Sequence, residues 1–281
     1  LLSEPERAAL SAISIFRGGF TRDAAQAGAE TSIRVLATLI NKSLLSREPG
    51  SGRYRLHELL RQYAAEKLGN TPAREQKVLD AHSAYFASYL HARADCLKSP
   101  SPAEALAEIE TELDNVRAAW SRMLEQQQLQ NIDRLLEALH LFYTRHASLG
   151  EGEAAFTALV ESLESTSELA PERARLLGQA LSRRATFLRL QGRYAQASTL
   201  LERALGLLDE TRHPRERAFA LVVSGSTHVK AGNLQQGTAQ AEEGLRLYRS
   251  TGDAWGTAHA LETLGRVYGT AGDFARGEAA Y

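Results

Sequence analysis

The chain has 281 residues, 43% of them hydrophobic, which is long enough for two or three folded units with buried cores. Its 33 basic and 34 acidic residues give a formal charge of -1, which excludes the strong positive field of a protein that binds nucleic acid or a membrane surface over its whole length. A single cysteine excludes an internal disulfide and no apolar run reaches the roughly 18 residues of a membrane helix, so we expect a reducing, cytoplasmic setting and no membrane contact.

The two ends of the sequence look cut rather than natural. The chain begins at Leu1 without methionine, and a helical pattern is still running at Tyr281. We therefore expect the chain to be the middle of a larger protein, and its activity to depend partly on segments outside it.

Residues 1–70 predict three helices, a hairpin and a fourth helix. Ser3, Thr21 and Ser32 are the predicted N-caps of the first three helices, because a short side-chain oxygen can accept a hydrogen bond from a first-turn N–H group. Within 44–56, two short runs flank the turn sequence EPGSG, and the second run alternates polar and apolar side chains, which predicts a two-stranded hairpin. This order is that of a winged helix, a relative of the helix-turn-helix, with the hairpin as its wing.

Residues 72–281 predict helices almost throughout and contain an internal repeat. Gly192, Gly232 and Gly272 are spaced by 40 residues, and similar residue types recur at the same distances from each of them. The residues seven before and five after each glycine are small, which lets two helices approach closely while the glycine turns the chain between them. The residue two after each glycine is large and apolar, and we expect it to plug the next helix pair. The predicted breaks between helices are 98–102, 149–152, 169–171 and 213–214.

The segment LGRVYGTAGDF, Leu264 to Phe274, resembles the tetratricopeptide signature, and Leu149 to Leu163 resembles the second helix of a degenerate preceding repeat. We therefore predict a mainly α fold, in which a winged-helix domain is followed by a right-handed tetratricopeptide-like α-solenoid. The predicted domains are a winged helix at 1–70, a helical linker with degenerate helical repeats at 71–170, and repeats of 40-residue period, truncated at the C-terminus, at 171–281.

The sequence HELLR, which begins at His57, starts like the zinc-protease motif His-Glu-x-x-His. Arg61 stands where the second zinc ligand is needed, and its fixed positive charge excludes a site of this kind. The other histidines show no zinc spacing with Cys96, so no metal site is predicted. The phosphate-loop pattern Gly-x-x-x-x-Gly-Lys-Ser/Thr is absent, so we expect no catalysis by this chain alone, and Gly18-Gly19 is interpreted as a tight turn.

His57 follows the second strand of the hairpin and begins the fourth helix. Unpaired N–H groups at a helix N-terminus favour an anion, which an imidazole can help to bind as one more donor. The alternative is a histidine that caps or packs the helix, and the residues alone leave both interpretations open. The predicted buried face of this helix is Leu59, Leu60, Tyr63, Ala64 and Leu68, and the predicted outward face is Glu58, Arg61, Gln62 and Glu66.

Two other segments carry polar residues whose roles stay open. On the third helix, Arg34, Asn41 and Lys42 could contact DNA in the major groove, although the mild basic excess of this domain also fits a solvated face. The segment ELDNVRAA, which begins at Glu112, predicts a helix with one apolar face. Its polar residues can cap, bridge or face water, and they are Asp114, Asn115 and Arg117.

The order of the segments FRGGF, LINKSLL, YRLHELLRQYAAEKL and ELDNVRAAW, followed by repeats, resembles the signal-transduction ATPases with numerous domains, and most closely the bacterial maltose-regulator and antibiotic-regulator branch. The resemblance implies that the winged helix follows a P-loop ATPase domain and closes over its nucleotide. Leu56-His57-Glu58 resembles the Met-His-Asp motif of related receptors, whose histidine contacts the β-phosphate of ADP. Carried over, His57 is the nucleotide sensor of the resting state, while glutamate replaces aspartate at Glu58.

The resemblance also implies a set of partners. The chain itself would hold no cofactor, the whole protein would bind ADP or ATP with Mg²⁺ in its upstream nucleotide-binding domain, and the repeats would act as a sensor for an inducer or a partner protein. By tetratricopeptide register, Arg189, Lys230 and Arg266 point towards the ligand surface. Two alternatives remain, a winged-helix regulator that binds DNA directly and a tetratricopeptide scaffold for protein–protein interaction.

Overall fold

The structure, a computed structural model, describes residues 2–165 and 170–280. Within these ranges the chain is mainly α, with helices and one short two-stranded sheet, and it divides into two compact units between Phe142 and Tyr143. The predicted fold class is confirmed: a winged helix comes first, and tetratricopeptide-like helix pairs follow.

The first unit holds the winged helix and the helices that follow it. Its elements are α1 (Glu4–Ile13), α2 (Arg22–Ala29), α3 (Ile33–Asn41), β1 (Ser46–Arg47), β2 (Tyr54–Arg55), α4 (Glu58–Gly69), α5 (Pro72–His91), α6 (Ala94–Lys98), α7 (Ala103–Thr111), α8 (Leu113–Glu125) and most of α9 (Leu129–Arg145). Helix α5 packs on α2 and α8, and α4 packs on α1.

The second unit is a run of helix pairs. Its elements after the end of α9 are α10 (Leu149–Glu164), α11 (Pro171–Leu190), α12 (Tyr194–Leu207), α13 (Pro214–Lys230), α14 (Leu234–Ser250), α15 (Ala254–Ala271) and α16 (Phe274–Ala280). Each helix packs on the next, and the first helices of successive pairs also touch, α11 against α13 and α13 against α15.

Local sequence signals place the winged-helix elements. Thr21 accepts a hydrogen bond from the N–H of Ala24 at 3.1 Å, and Ser32 accepts one from Val35 at 3.4 Å, so both predicted N-caps are confirmed. Helix α1 begins after Ser3 as predicted. The wing pairs Ser46 with Arg55 and Arg47 with Tyr54 in antiparallel register, and Phe20 adds a bridge to Tyr54 that the sequence did not predict.

Aromatic rings hold the turn between α1 and α2 against its neighbours. Phe16 stacks on Phe20 with ring centroids 4.6 Å apart, and Phe20 stacks on Tyr54 at 5.7 Å. The imidazole of His82 on α5 lies between Phe16 at 5.3 Å and Phe86 at 4.7 Å. The hydrophobic core of the winged helix therefore continues into α5, which lies beyond the predicted end of that domain at residue 70.

Glycines set the spacing of the repeats. Gly192, Gly232 and Gly272 have φ values of 79°, 93° and 79°, the left-handed conformation that favours glycine at a turn. A Cβ added to Gly225 would lie 2.6 Å from the carbonyl oxygen of Gly237, so α13 and α14 meet backbone to backbone. The predicted roles of the turn glycines and of this small pair are therefore confirmed.

Two predictions about the repeats need correction. Two of the three large residues after the turn glycines are not buried plugs, because Leu234 is 38% and Phe274 75% exposed, whereas Tyr194 is half-buried. The break predicted at 149–152 lies earlier in the chain, since α10 already begins at Leu149 and continues to Glu164. The break predicted at 169–171 falls partly outside the described residues, and α11 begins at Pro171.

Candidate functional site

The junction between β2 and α4 places His57 as the N-cap of α4. Its backbone is extended, with φ -60° and ψ 138°, and its Nδ1 accepts a hydrogen bond from the N–H of Leu59 at 3.3 Å. An Nδ1 that accepts carries no proton, so the neutral ring holds its proton on Nε2. The imidazole is exposed, and Nε2 has no hydrogen-bond partner within the described part of the chain.

The capping contact and an anion contact are compatible at His57. One ring nitrogen satisfies a first-turn N–H group and thereby fixes the direction of the ring. The other nitrogen keeps an N–H donor available to a ligand beside the helix N-terminus, where the helix dipole favours negative charge. The capping interpretation is thus observed, and the phosphate contact stays a prediction.

The arginine that replaces the second zinc ligand ties α4 to α1. Arg61 forms two hydrogen bonds to Glu58, with Nε to Oε2 at 2.8 Å and Nη2 to Oε1 at 2.7 Å, and it donates from Nη1 to the carbonyl oxygen of Ser14 at 3.3 Å. Gln62 donates to the same carboxylate at 3.0 Å. The hydrogen bonds from Arg61 first, and from Gln62 second, lower the pKa of Glu58 to about 2.

The faces of α4 differ from the prediction. Ala64 and Leu68 are buried as predicted, whereas Leu59 and Tyr63 are 71% and 56% exposed, and the side chain of Arg61 is only 13% exposed. The reason is that α4 packs on α1 through residues four apart, and its long arginine stem covers the rest of that face. Leu59 and Tyr63 lie one turn apart next to His57, so an exposed apolar pair flanks the exposed imidazole.

A cleft of about 260 Å³ opens beside this junction. The turn at Gly18 and Gly19 forms one wall, and both glycines have positive φ values, 67° and 96°. A Cβ at Gly19 would lie 2.9 Å from the carbonyl oxygen of Tyr54, so glycine is needed for the turn to approach the wing. The predicted tight turn is confirmed, and the other lining residues include Arg55, Leu56, Glu58 and Arg61.

A buried polar cluster connects the wing and the glycine turn to α8. The guanidinium of Arg53 forms an ion pair with Glu112, and these side chains are 10% and 4% exposed. Asn115 is fully buried and donates to the carboxylate of Glu112 at 2.7 Å and to the carbonyl oxygen of Gly19 at 3.0 Å. Of the three roles left open for the polar residues of α8, bridging is the one that Asn115 has, and no local pattern in the sequence indicated its partners.

The cations predicted for the repeat surface do not form one group. Burial, and after it the positive charge of Arg266, lowers the pKa of Arg189. Arg266 is bound to Glu262 at 2.6 Å. Lys230 is exposed at the last residue of α13 and is not among the charges acting on Arg189, so the structure does not bring it to this group.

The pKa of His259 on α15 is also lowered, and no sequence pattern selected this residue. Burial lowers the pKa of His259 to about 4, Glu262 opposes that shift, and Arg266, Arg189 and Arg145 lower it further. The ring of His259 stacks on Trp255 with centroids 5.4 Å apart and planes 10° from parallel.

Neither a cluster of metal-binding side chains nor a membrane-spanning helix is found among the described residues. No three His, Cys, Asp or Glu side chains at positions 2–165 and 170–280 are grouped so that they could hold a metal ion. Over the same residues, no helix is both long enough and apolar enough to span a membrane.

Comparisons with known proteins find a domain family, curated relatives and solved structures that are similar to parts of this chain. A family model described as a winged helix-turn-helix domain matches residues 2–69. A Mycobacterium tuberculosis protein named as an HTH-type transcriptional regulator is 32% identical over 173 residues, covering 57% of this chain and 19% of that protein. An uncharacterized protein of the same species is 43% identical over 82 residues, covering 25% of this chain and 21% of that protein. The chain spans about a fifth of the length of the curated relatives it matches.

Two solved structures overlay on the chain with TM-scores below 0.5. BtubC (BKLC) from P. vanneervenii overlays with a TM-score of 0.49 at 16% identity, covering 78% of this chain and 83% of that one. A signal transduction ATPase with numerous domains and a tetratricopeptide repeat sensor, from Pyrococcus horikoshii, overlays with a TM-score of 0.36 at 17% identity, covering 99% of this chain and 50% of that one.

Proposed function

We propose that this chain is the regulatory part of a transcriptional regulator of the signal-transduction ATPase type, in which the winged helix closes over ADP held by a nucleotide-binding domain of the same protein. The winged-helix match over residues 2–69 and the relatives named as transcriptional regulators support a regulatory role. The observation that carries the finer proposal is the geometry of His57, whose capped and exposed ring presents Nε2–H at a helix N-terminus.

In this proposal, His57 donates a hydrogen bond to a phosphate oxygen of ADP. A hydrogen bond to a charged group contributes about 1.5 to 3 kcal/mol, which is of the same size as a typical allosteric coupling energy of about 1 to 3 kcal/mol. Loss of the contact on nucleotide exchange would therefore suffice to release the winged helix. The ion pair between Glu58 and Arg61 holds the first turn of α4 in place for this contact.

The exposed pair Leu59 and Tyr63 would pack against the nucleotide-binding domain in the closed state. Both side chains lie on the turn of α4 that follows His57, and both are more than half exposed. Burial of such side chains stabilises an interface by about 1.5 to 3 kcal/mol each when it is complete. Closure would thus combine one polar contact with a small apolar one.

Direct reading of DNA by α3 is the less favoured function. The ammonium group of Lys42 lies 2.8 Å from both carboxylate oxygens of Glu6, so one of the three predicted contacts is already engaged. Arg34 and Asn41 remain exposed on α3. If the chain nevertheless binds duplex DNA with a steep dependence on salt, the DNA-binding alternative is correct and the clamp role of the winged helix is secondary.

Two substitutions in the full-length protein separate capping from phosphate binding. His57→Asp keeps a good N-cap but places a negative charge beside the phosphate, whereas His57→Ala loses both the cap and the donor. We expect both variants to retain less ADP after purification and to raise basal output, with His57→Asp at least as affected as His57→Ala. Retention of ADP by His57→Asp at the wild-type level would reduce His57 to a cap. Absence of a phosphate loop from the sequence before Leu1 would reject the proposal and favour the scaffold alternative.

A further inference from the structure

The peptide group between Gly19 and Phe20 is held from both sides. Its carbonyl oxygen accepts a hydrogen bond from the side-chain amide of Asn115 on α8 at 3.0 Å. Its N–H group donates to the carbonyl oxygen of Tyr54 on β2 at 3.0 Å, and the N–H of Tyr54 donates back to Phe20 at 2.8 Å. A short chain of hydrogen bonds therefore runs from α8 through the glycine turn to the strand that leads into His57.

The glycine turn has little stiffness of its own. Gly18 and Gly19 both have positive φ values, and glycine has more conformational freedom than any other residue. The turn therefore needs contacts from outside to keep one shape. Asn115 supplies such contacts at both ends of the glycine pair, because its side-chain oxygen also accepts a hydrogen bond from the N–H of Arg17 at 2.7 Å. Helix α8 thus helps to set the shape of this wall of the cleft.

The side chain of Asn115 is itself fixed in direction. It is fully buried, and its amide nitrogen also donates to the carboxylate of Glu112 at 2.7 Å. Both polar atoms of the amide are therefore engaged, and a fully bonded polar group in the interior is held in one orientation. Glu112 in turn pairs with Arg53, the residue before Tyr54 on the wing. Helix α8 therefore contacts the turn through one residue and the wing through another.

We propose that Asn115 is a positioning residue for ADP, which acts through the glycine turn and keeps the cleft beside His57 in the shape that holds the nucleotide. The inference rests on the proposed function and adds a residue of α8 to it. His57 stands between Leu56 and Glu58, which line the cleft, so a phosphate bound by His57 lies close to the turn. A wall that is already in place lowers the cost of ordering the site around the ligand. Loss of the contact between Asn115 and the turn should therefore speed the release of ADP and leave the donor on His57 in place.

An exchange of the two side chains on α8 removes this contact and keeps the number of buried carboxylates. In the double variant Asn115→Asp with Glu112→Gln, one carboxylate and one amide remain, and the new carboxylate can still accept from Arg17. Neither of its oxygens can donate to the carbonyl group of Gly19. Glu112→Gln alone is the matched control, because it removes the charge and keeps the amide of Asn115 on Gly19.

Hydrogen exchange of the full-length protein, followed by mass spectrometry, tests whether Asn115 holds the turn. We expect the segment that contains Phe20 to exchange about tenfold faster in the double variant, the effect of one lost hydrogen bond, and at nearly the wild-type rate in the control. Buried amides of α5, such as those of Phe86 and Leu90, are the internal reference for opening of the whole unit. Equal acceleration in α5 would give Asn115 a purely structural role and overturn the inference. If the double variant does not fold, Asn115→Ser makes the same comparison with a side chain that is too short to hold both ends of the turn.

The release of a fluorescent ADP analogue from the same full-length proteins tests the effect on the nucleotide. We expect release to be about tenfold faster in the double variant and nearly unchanged in Glu112→Gln. The inference is wrong if the turn exchanges faster while ADP release keeps its wild-type rate, or if Glu112→Gln speeds release as much as the double variant does. Failure of the proposed function gives a different result, since His57→Asp then retains ADP. Loss of ADP in His57→Asp with wild-type release in the double variant refutes the role of Asn115 alone.

Discussion

The side-chain oxygen of Asn115 accepts a hydrogen bond from the backbone N–H of Arg17 at 2.7 Å, across 98 residues of chain. The amide nitrogen of the same side chain donates to the carbonyl oxygen of Gly19, so both ends of the glycine turn are held by one residue of α8. The turn that lines the cleft beside His57 therefore depends on a helix well outside the winged helix.

Substitution of Asn115 by leucine should destabilise the first unit by about 2 to 4 kcal/mol, because it leaves a buried N–H group and a carbonyl group without partners. Urea denaturation followed by the fluorescence of Trp120 measures this, in a Trp255→Phe background so that the signal comes from the first unit alone. Asp114→Ala is the matched control on the exposed face of α8, and it should change stability by less than about 1 kcal/mol. Equal effects of the two substitutions would contradict the bridging role.

The buried ion pair of Arg53 and Glu112 should behave as a unit. Arg53→Met or Glu112→Leu alone leaves one charge buried and unpaired, which costs about 3 to 5 kcal/mol, whereas the double variant should recover most of that loss. The double variant also removes Nη2 of Arg53, which is buried without a partner in the described part of the chain. A double-mutant cycle in the same fluorescence assay checks this, and purely additive losses would show that the two charges are not coupled.

The carboxyl group of Glu58 should titrate with a pKa of about 2, against 4.5 for an unperturbed glutamate, because Arg61 and then Gln62 hydrogen-bond to its charged form. The linked stability is fully present above pH 4.5 and falls as the pH drops towards 2, since the unfolded chain takes up this proton first. Carbon-detected NMR of the side-chain carboxyl follows the titration directly. In Arg61→Gln the midpoint should return towards 4.5, and an unchanged midpoint would contradict the assignment.

His82 should make the first unit sensitive to mild acid. Burial between Phe16 and Phe86 lowers its pKa to about 4 from 6.5, an effect that the polar side chain of Asn115 partly opposes. The unfolded chain therefore binds a proton below pH 6.5 that the folded chain refuses until about pH 4, and stability falls across this window by up to about 3 kcal/mol.

Denaturation of the first unit at a series of pH values measures this loss. His82→Phe should flatten the dependence between pH 6.5 and 4, because phenylalanine keeps the aromatic packing and cannot take up a proton. His91→Gln, on the exposed end of the same helix, should leave the pH dependence of stability unchanged. A steep loss that survives in His82→Phe would assign the effect to other groups.

The features that could be predicted from the sequence depend on neighbours along the chain. N-caps at Thr21 and Ser32 follow from bonds that span three residues, and the turn glycines follow from a 40-residue period that every helix pair repeats. These patterns place helices and turns before any tertiary contact is known.

The features that could not be predicted depend on which face of a helix meets a distant partner. On α4, two apolar stripes lie side by side, and the sequence does not say that α1 covers the one with Ala64 rather than the one with Leu59 and Tyr63. Likewise, the hydrogen bonds of Asn115 join it to residues almost a hundred positions away. Burial and pairing of this kind are tertiary properties.

The pairing of Arg53 with Glu112 has a consequence for how such proteins can be recombined. The recognisable winged helix ends at residue 69, yet a charge buried in its wing is neutralised by a residue 59 positions further along. An exchange near residue 70 with a regulator that lacks this pair would separate the two charges, and each chimera would then bury one unpaired charge. The unit that can be inherited or transplanted intact therefore includes α8 and extends into α9, and a crossover placed after α9 should give soluble hybrids where one placed at residue 70 does not.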